Sequence, residues 1–253
     1  MLSTINPWLI GLGLNTVLLA VAWIAPKKLL TPMGLFHAGF LGVLIWGTIG
    51  LPGYVVVMFY FLVGSLVTRI GMAQKEALGI AEKRSGARGP ENVWGSALIG
   101  ALCALGTVVI PVEAETSVIP LLVLGYVASF STKLSDTCAS EVGKAYGQRT
   151  FLITTLQPVP RGTEGAVSLE GTMAGIVGSV ALAMVAWGVG LIDLFGVAWC
   201  VVAAFIATNL ESVIGATLQS RFSFLTNEVV NIINTAIGAI AAISLALIWI
   251  WYR

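Results

Sequence analysis

Residues 119–147 read "IPLLVLGYVASFSTKLSDTCASEVGKAYG". The first twelve are apolar enough to sit in lipid, and the remainder carries Lys133, Asp136, Glu141 and Lys144 among several hydroxyls. The stretch reads as a membrane helix that runs directly into a dense polar cluster. Charges at or below a membrane surface are costly and usually mark a site.

The rest of the chain repeats the apolar half of this pattern. Its 253 residues are 57% hydrophobic and only 10% charged, with a mean hydropathy of +0.95. A soluble domain is usually about a quarter charged. Apolar runs of roughly 18 residues or more recur throughout, the length needed to cross a bilayer as helix. The fold class is therefore an all-α polytopic membrane bundle, a single integral-membrane domain over residues 1–253. The net charge of +1, without a basic arm, gives no sign of a nucleic-acid partner. Cys103, Cys138 and Cys200 match no metal spacing and imply no oxidising compartment. The N-terminal run lacks a basic leader and is long enough to span, so it reads as a first helix; the lack of a transit peptide favours a bacterial chain or a mature form.

Eight spans are expected, with six as the lower bound: Pro7–Trp23, Leu35–Leu51, Gly53–Thr68, Trp94–Ile110, Val118–Leu134, Val167–Ile192, Phe195–Thr217 and Asn231–Tyr252. With the N-terminus outside, twelve of the 13 Lys and Arg fall on inside segments and only Arg253 falls outside. That separation is the positive-inside pattern and supports an N-out, C-out map. The long inside loops are then 69–93 and 135–166. No repeat between the halves is visible.

Four polar clusters lie at the inner boundary of this map. In the opening stretch, Asp136 and Ser140 share a helix face with Lys133, while Glu141 points about 140° away from Asp136 on an ideal helix. Both acids meet one ligand only if the helix breaks or if each touches a different part of the site. "PVPRGTEGAVSLEGTMAGIVGS", Pro158–Ser179, places a Gly/Thr-rich turn and Arg161 before a long helix. Free N–H groups and the positive helix end there suit phosphate. Gly171, Gly175 and Gly178 read as close packing positions, and Glu170 is harder to explain by packing. "ATNLESVIGATLQ", Ala207–Gln219, holds Asn209 and Glu211, whose carboxylate needs a cation. "TNEVVNIINT", Thr226–Thr235, sets Asn227, Asn231 and Asn234 on one face, suited equally to helix bridging and to ligand contact. Carboxylates suit Mg²⁺ with substrate phosphates. Lys, Arg and helix starts suit phosphate oxygens. Together they form the equipment of phosphoryl transfer. His37, the single histidine, reads as a packed interhelical residue, and no Ser–His–Asp arrangement exists.

"SDTCASEVGKAYG", "TTLQPVPRGTEGAVSLEGT" and "NLESVIGATLQ", in this order, resemble the membrane family that contains the plant and cyanobacterial phytyl-phosphate kinases. "RSGARGPENVWGSA" before the fourth span fits less tightly, and the resemblance covers nearly the whole chain. It implies phosphorylation of phytyl phosphate to phytyl diphosphate, the prenyl donor for tocopherol and phylloquinone synthesis. Asp136 to Gly147 followed by "TEGAVS" is also similar to the CTP-dependent phytol and dolichol kinases, which implies CTP as donor. The resemblance carries the family's acidic motif residues over to Asp136, Glu141 and Glu211 and its Gly/Thr turn to Gly162, Thr163 and Gly165; from the residues we expect Asp136, Glu141 and Lys133 to be the catalytic groups, with Asp136, Glu141 and Glu211 holding Mg²⁺. Arg88, Lys144, Arg161, Gly162, Thr163 and Gly165 are expected to bind nucleotide or phosphate. Ser168, Asn209 and Asn231 join them.

The implied partners are a prenyl-phosphate lipid, which a Gly-rich bundle can admit laterally, and a nucleoside triphosphate from the aqueous side. A bacterial inner or thylakoid membrane is implied, with the site on the cytoplasmic face. Two alternatives stay open: a transporter or flippase for a small anion or lipid, and a prenol kinase for another lipid. A transporter needs polar residues in the middle or outer half of the spans, whereas most here sit at the inner end.

Overall fold

The structure is a computed structural model that describes residues 6–110, 115–219 and 221–252. Its helices are α1 (Pro7–Ile24), α2 (Pro32–Thr48), α3 (Gly50–Thr68), α4 (Met72–Ala77) and α5 (Pro90–Val109), then α6 (Glu115–Tyr146), α7 (Leu169–Gly188), α8 (Leu194–Ile214) and α9 (Asn227–Trp251). Seven of them are long and apolar enough to cross a membrane among the described residues, and α2, with 17 residues, is a shorter apolar helix. Helix starts are built from local chemistry. Proline opens α1, α2 and α5, where its missing N–H costs nothing. Thr31, Ser168, Asp193 and Thr226 cap α2, α7, α8 and α9 through their side-chain oxygens, satisfying N–H groups that find little water at a membrane boundary.

Helix α6 is the axis of the molecule. Tyr126, Val127, Ala128, Phe130 and Leu134 on it are completely buried. It packs against α3, α5, α7, α8 and α9, while α7 also meets α3 and α8, and α9 meets α5 and α8. Helix α2 joins α3, α5 and α1, which lies at the periphery. Within lipid, apolar side chains gain little by leaving one hydrocarbon for another, so close backbone approach drives helix association. The α6–α7 seam shows this. A Cβ on Gly171 would stand 2.6 Å from the Ala139 carbonyl, one on Gly175 3.0 Å from the Ser135 carbonyl, and one on Gly178 2.8 Å from Cys138 Sγ. The packing role read for these three glycines is borne out.

Two boundaries need correction. The expected inside loop 135–166 does not begin at Ser135, because α6 continues as helix to Tyr146. Its 32 residues extend about 48 Å at 1.5 Å each, beyond a hydrocarbon core of about 30 Å. The polar residues after Leu134 stay helical because protein surrounds them: Ser135, Asp136, Thr137 and Glu141 are all buried. Likewise Val167 and Ser168 are not helical. They belong to strand β2 (Ala166–Ser168), which pairs antiparallel with β1 (Thr150–Leu152), and α7 starts at Leu169. The other long loop, 69–93, contains α4 and gives way to α5 at Pro90.

Candidate active site

The C-terminal ends of α3 and α8, the N-terminal ends of α5, α7 and α9, and the C-terminal half of α6 meet at one end of the bundle. They enclose a cavity of about 490 Å³. The Thr150–Ser168 hairpin and the loop around Ile80–Arg88 wall its mouth. Antiparallel succession of the spans explains this convergence, since every inside segment of the eight-span map returns to the same end.

Asp136 is the centre of the inner wall. Lys133 Nζ donates to Asp136 Oδ2 at 2.5 Å and to Asn231 Oδ1 at 2.7 Å, so α6 and α9 share one buried cation. Glu141 lies one turn further out and is also buried. It pairs with Lys75 of α4, which is 0% exposed, and its other oxygen lies 3.6 Å from Lys144. Lys75 also donates to the Thr68 carbonyl at 2.8 Å, where α3 ends. The helix does not break between the two acids. Each has its own cation, and the cavity reaches both. On the opposite wall, Arg88 donates to the Tyr60 hydroxyl at 2.8 Å and lies over the same ring. The Arg88 main chain pairs with Leu29 and Thr31, fastening its loop to the start of α2.

Among the described residues six acidic side chains line the cavity, against the three cations Arg88, Lys133 and Lys144. Among the described residues Glu82, Glu164, Glu211 and Glu228 take no ion pair or side-chain hydrogen bond. Glu211 is within electrostatic reach of Asp136, Lys133, Glu164 and Lys144. A further cation would offset the repulsion between carboxylates within such reach of one another. No three His, Cys, Asp or Glu side chains converge into a complete metal cage among the described residues. An ion held by one or two carboxylates plus substrate phosphates, the habit of Mg²⁺, fits this donor set.

Most residues singled out in the sequence share this cavity: Lys133, Asp136, Glu141, Lys144, Arg88 and Glu211, with Gly162, Thr163, Gly165, Ser168, Asn209 and Asn231. Several also make contacts within the protein. Glu141 pairs through one oxygen with Lys75, and its other oxygen lies 3.6 Å from Lys144. Arg161 does not line the cavity and instead donates to the Ala145 carbonyl at 3.1 Å, near the end of α6. The Ser168 hydroxyl caps α7 by accepting from Gly171 N at 3.1 Å. Asn209 turns its amide back onto the Phe205 carbonyl at 2.7 Å, and Asn231 serves Lys133. Glu170 accepts from Gln148 N at 3.2 Å, tying the start of α7 to the end of α6. His37 accepts from Trp94 Nε1 at 2.9 Å, the interhelical role read for it.

The Gly/Thr turn does not feed a helix directly, since β2 intervenes. Its glycines are demanded by shape. Gly165 has φ +77°, and a Cβ there would stand 2.5 Å from Ala216 Cβ and 2.6 Å from the Ser212 carbonyl. The turn is thereby pressed onto the end of α8, beside Glu211. Gly165→Ala is expected to cost about 1–3 kcal/mol and to lower the melting temperature in detergent. A melt identical to that of the parent protein would show that the turn is not seated there.

Sequence reasoning missed Lys75, Tyr60, Glu82 and Thr208 as parts of the site. No spacing pattern links Lys75 to Glu141, 66 residues away. The local sequence gives no signal, since Lys75 stands between the polar Gln74 and Glu76.

Fold and cavity together define an integral, multi-pass membrane protein with an ionic chamber at one end of its bundle. The chain belongs to the family described as Integral membrane protein DUF92, which matches residues 15–239. It is 66% identical over 239 residues to an uncharacterized membrane protein of Synechocystis sp., covering 94% of this chain and 91% of that one. It is 48% identical over 216 residues to Protein VTE6, chloroplastic, of Arabidopsis thaliana, covering 85% of this chain and 64% of that protein's length. An uncharacterized membrane protein of Methanocaldococcus jannaschii is 29% identical over 93% of this chain and 94% of its own. No solved structure matches the chain.

Proposed function

We propose that the protein is a membrane lipid-phosphate kinase that converts phytyl phosphate to phytyl diphosphate with a nucleoside triphosphate, CTP above others. The observation that carries the reading is the meeting of Lys133, Asp136, Glu211, Arg88 and the Gly162–Gly165 turn around one chamber. The motif resemblance to prenyl-phosphate kinases and the likeness to the chloroplast protein support it.

In the proposed reaction, an oxygen of the lipid phosphate attacks the terminal phosphorus of the nucleotide. The new P–O bond forms as the bond to the bridging oxygen breaks, and the nucleoside diphosphate leaves with that electron pair. A phosphate monoester is largely ionised near neutral pH, so no proton must be removed first. Catalysis then rests on positioning and charge neutralisation. Lys133, oriented by Asp136 and Asn231, and Arg88, oriented by Tyr60, hold phosphate oxygens. Asp136 and Glu211, with Glu164 beside them, would hold Mg²⁺, which supplies charge neutralisation between the nucleotide phosphates. Glu141 acts at one remove, by keeping Lys75 and α4 in place.

We place the chamber on the cytoplasmic side of a bacterial inner or thylakoid membrane, following the positive-inside pattern. The test is direct. Purified protein with phytyl phosphate and Mg²⁺ is given CTP, ATP, GTP or UTP in turn. Phytyl diphosphate is expected with CTP at the highest rate, and chelation with EDTA is expected to stop it. No diphosphate with any nucleotide would sink the kinase reading.

A further inference from the structure

Among the described residues Phe205 is the one large apolar side chain that both lines the cavity and is exposed, at 46%. Ile176 of α7 also lines the cavity. Ile176 is seven residues into α7, and Phe205 is nine residues before the end of α8. At 1.5 Å per residue both lie about 10–14 Å below the helix ends, at hydrocarbon depth.

Both helices meet α6 at the same place. Gly175 leaves no side chain against the Ser135 carbonyl, and Thr208 Oγ1 lies 3.5 Å from Ser135 Oγ. Ser135 directly precedes Asp136, so the Lys133–Asp136 pair sits next to the point where a glycine of α7 and a threonine of α8 meet α6. Thr208 is one helical turn from Phe205.

From this juxtaposition we infer that the seam between α7 and α8, gated by Ile176 and Phe205, is the subsite for the isoprenoid chain of the lipid substrate. The inference rests on the lipid-phosphate kinase reading for the identity of the head group. The chain leaves the chamber sideways into the bilayer while its phosphate stays at Lys133. A polar chamber that reaches hydrocarbon depth and ends on apolar side chains fits an amphiphile of this shape. Phe205 and Ile176 then set which chain lengths and branch patterns are accepted.

The experiment uses the full chain in nanodiscs and a prenyl phosphate carrying a diazirine on its chain. Labelling needs no turnover, so its result is separate from the assay for diphosphate. Photolabel is expected on α7 and α8 peptides containing Ile176 and Phe205, and unlabelled phytyl phosphate is expected to compete it away. The double substitution Ile176→Trp with Phe205→Trp is expected to lower that labelling roughly tenfold, the affinity equivalent of about two buried methylenes. Phe205→Ala, which leaves the seam open, is expected to keep the α7 label and serves if the double variant fails to fold. Label concentrated on α3 or α5, or label displaced by bulk phospholipid but not by phytyl phosphate, would overturn the subsite.

Discussion

Asp136→Asn is expected to reduce formation of the lipid diphosphate by about a thousandfold or more while leaving the protein folded. The carboxylate holds Lys133 at 2.5 Å and, in the proposed mechanism, contributes to the ion that neutralises the nucleotide phosphates. The amide keeps the shape of the side chain but loses the charge needed for both tasks. Lys133 retains Asn231, so the fold loses one charge-assisted hydrogen bond, worth about 1.5–3 kcal/mol. Rate and melting temperature are to be measured on the same preparation. Near-parental activity in a folded Asp136→Asn protein would remove the central residue of the mechanism. Arg161→Ala is the matching contrast. Arg161 contacts the Ala145 carbonyl outside the chamber, so activity is expected to stay within about threefold, the effect of about 0.6 kcal/mol.

Lys75→Met is expected to destabilise the protein by about 3–5 kcal/mol, the usual consequence of stripping one partner from a buried ion pair. Both members are almost inaccessible, Lys75 at 0% and Glu141 at 3% side-chain exposure. Lys144, at 3.6 Å and partly exposed, compensates only in part. The double variant Lys75→Met with Glu141→Leu is expected to recover most of that stability, because replacing a whole buried pair by apolar groups is often neutral. Thermal melts in detergent of the parent, both singles and the double make up the cycle. Additive losses in the double variant would show that the two residues act independently. Because Glu141 lines the chamber and Lys75 ties α4 to it from behind, the stable double is expected to reveal what the pair does for turnover apart from folding.

The membrane class and a set of spans within the expected range of six to eight were legible in the chain because both depend on local hydropathy. The packing of Gly171, Gly175 and Gly178 was legible for the same reason: helical spacing of small residues is itself a local signal. The length of α6 was not. Its last three turns are polar, and a hydropathy reading ends the span at Leu134, whereas α7, α8 and α4 wrap those turns and let the helix continue. Arg161 shows the complementary limit. Its position next to a Gly/Thr turn suggests phosphate, but the hairpin turns its side chain toward the end of α6.

The amino-acid order by itself determined that this is a bundle of membrane helices with its charged residues gathered at one boundary, since lipid solvation sorts residues by type. Which charges neutralise each other was decided only by the tertiary structure: Lys133 with Asp136, Lys75 with Glu141, and Glu211 left without an ion-pair partner among the described residues. Ion pairing depends on separations of a few ångströms across helices far apart in the chain, and helix packing sets those separations.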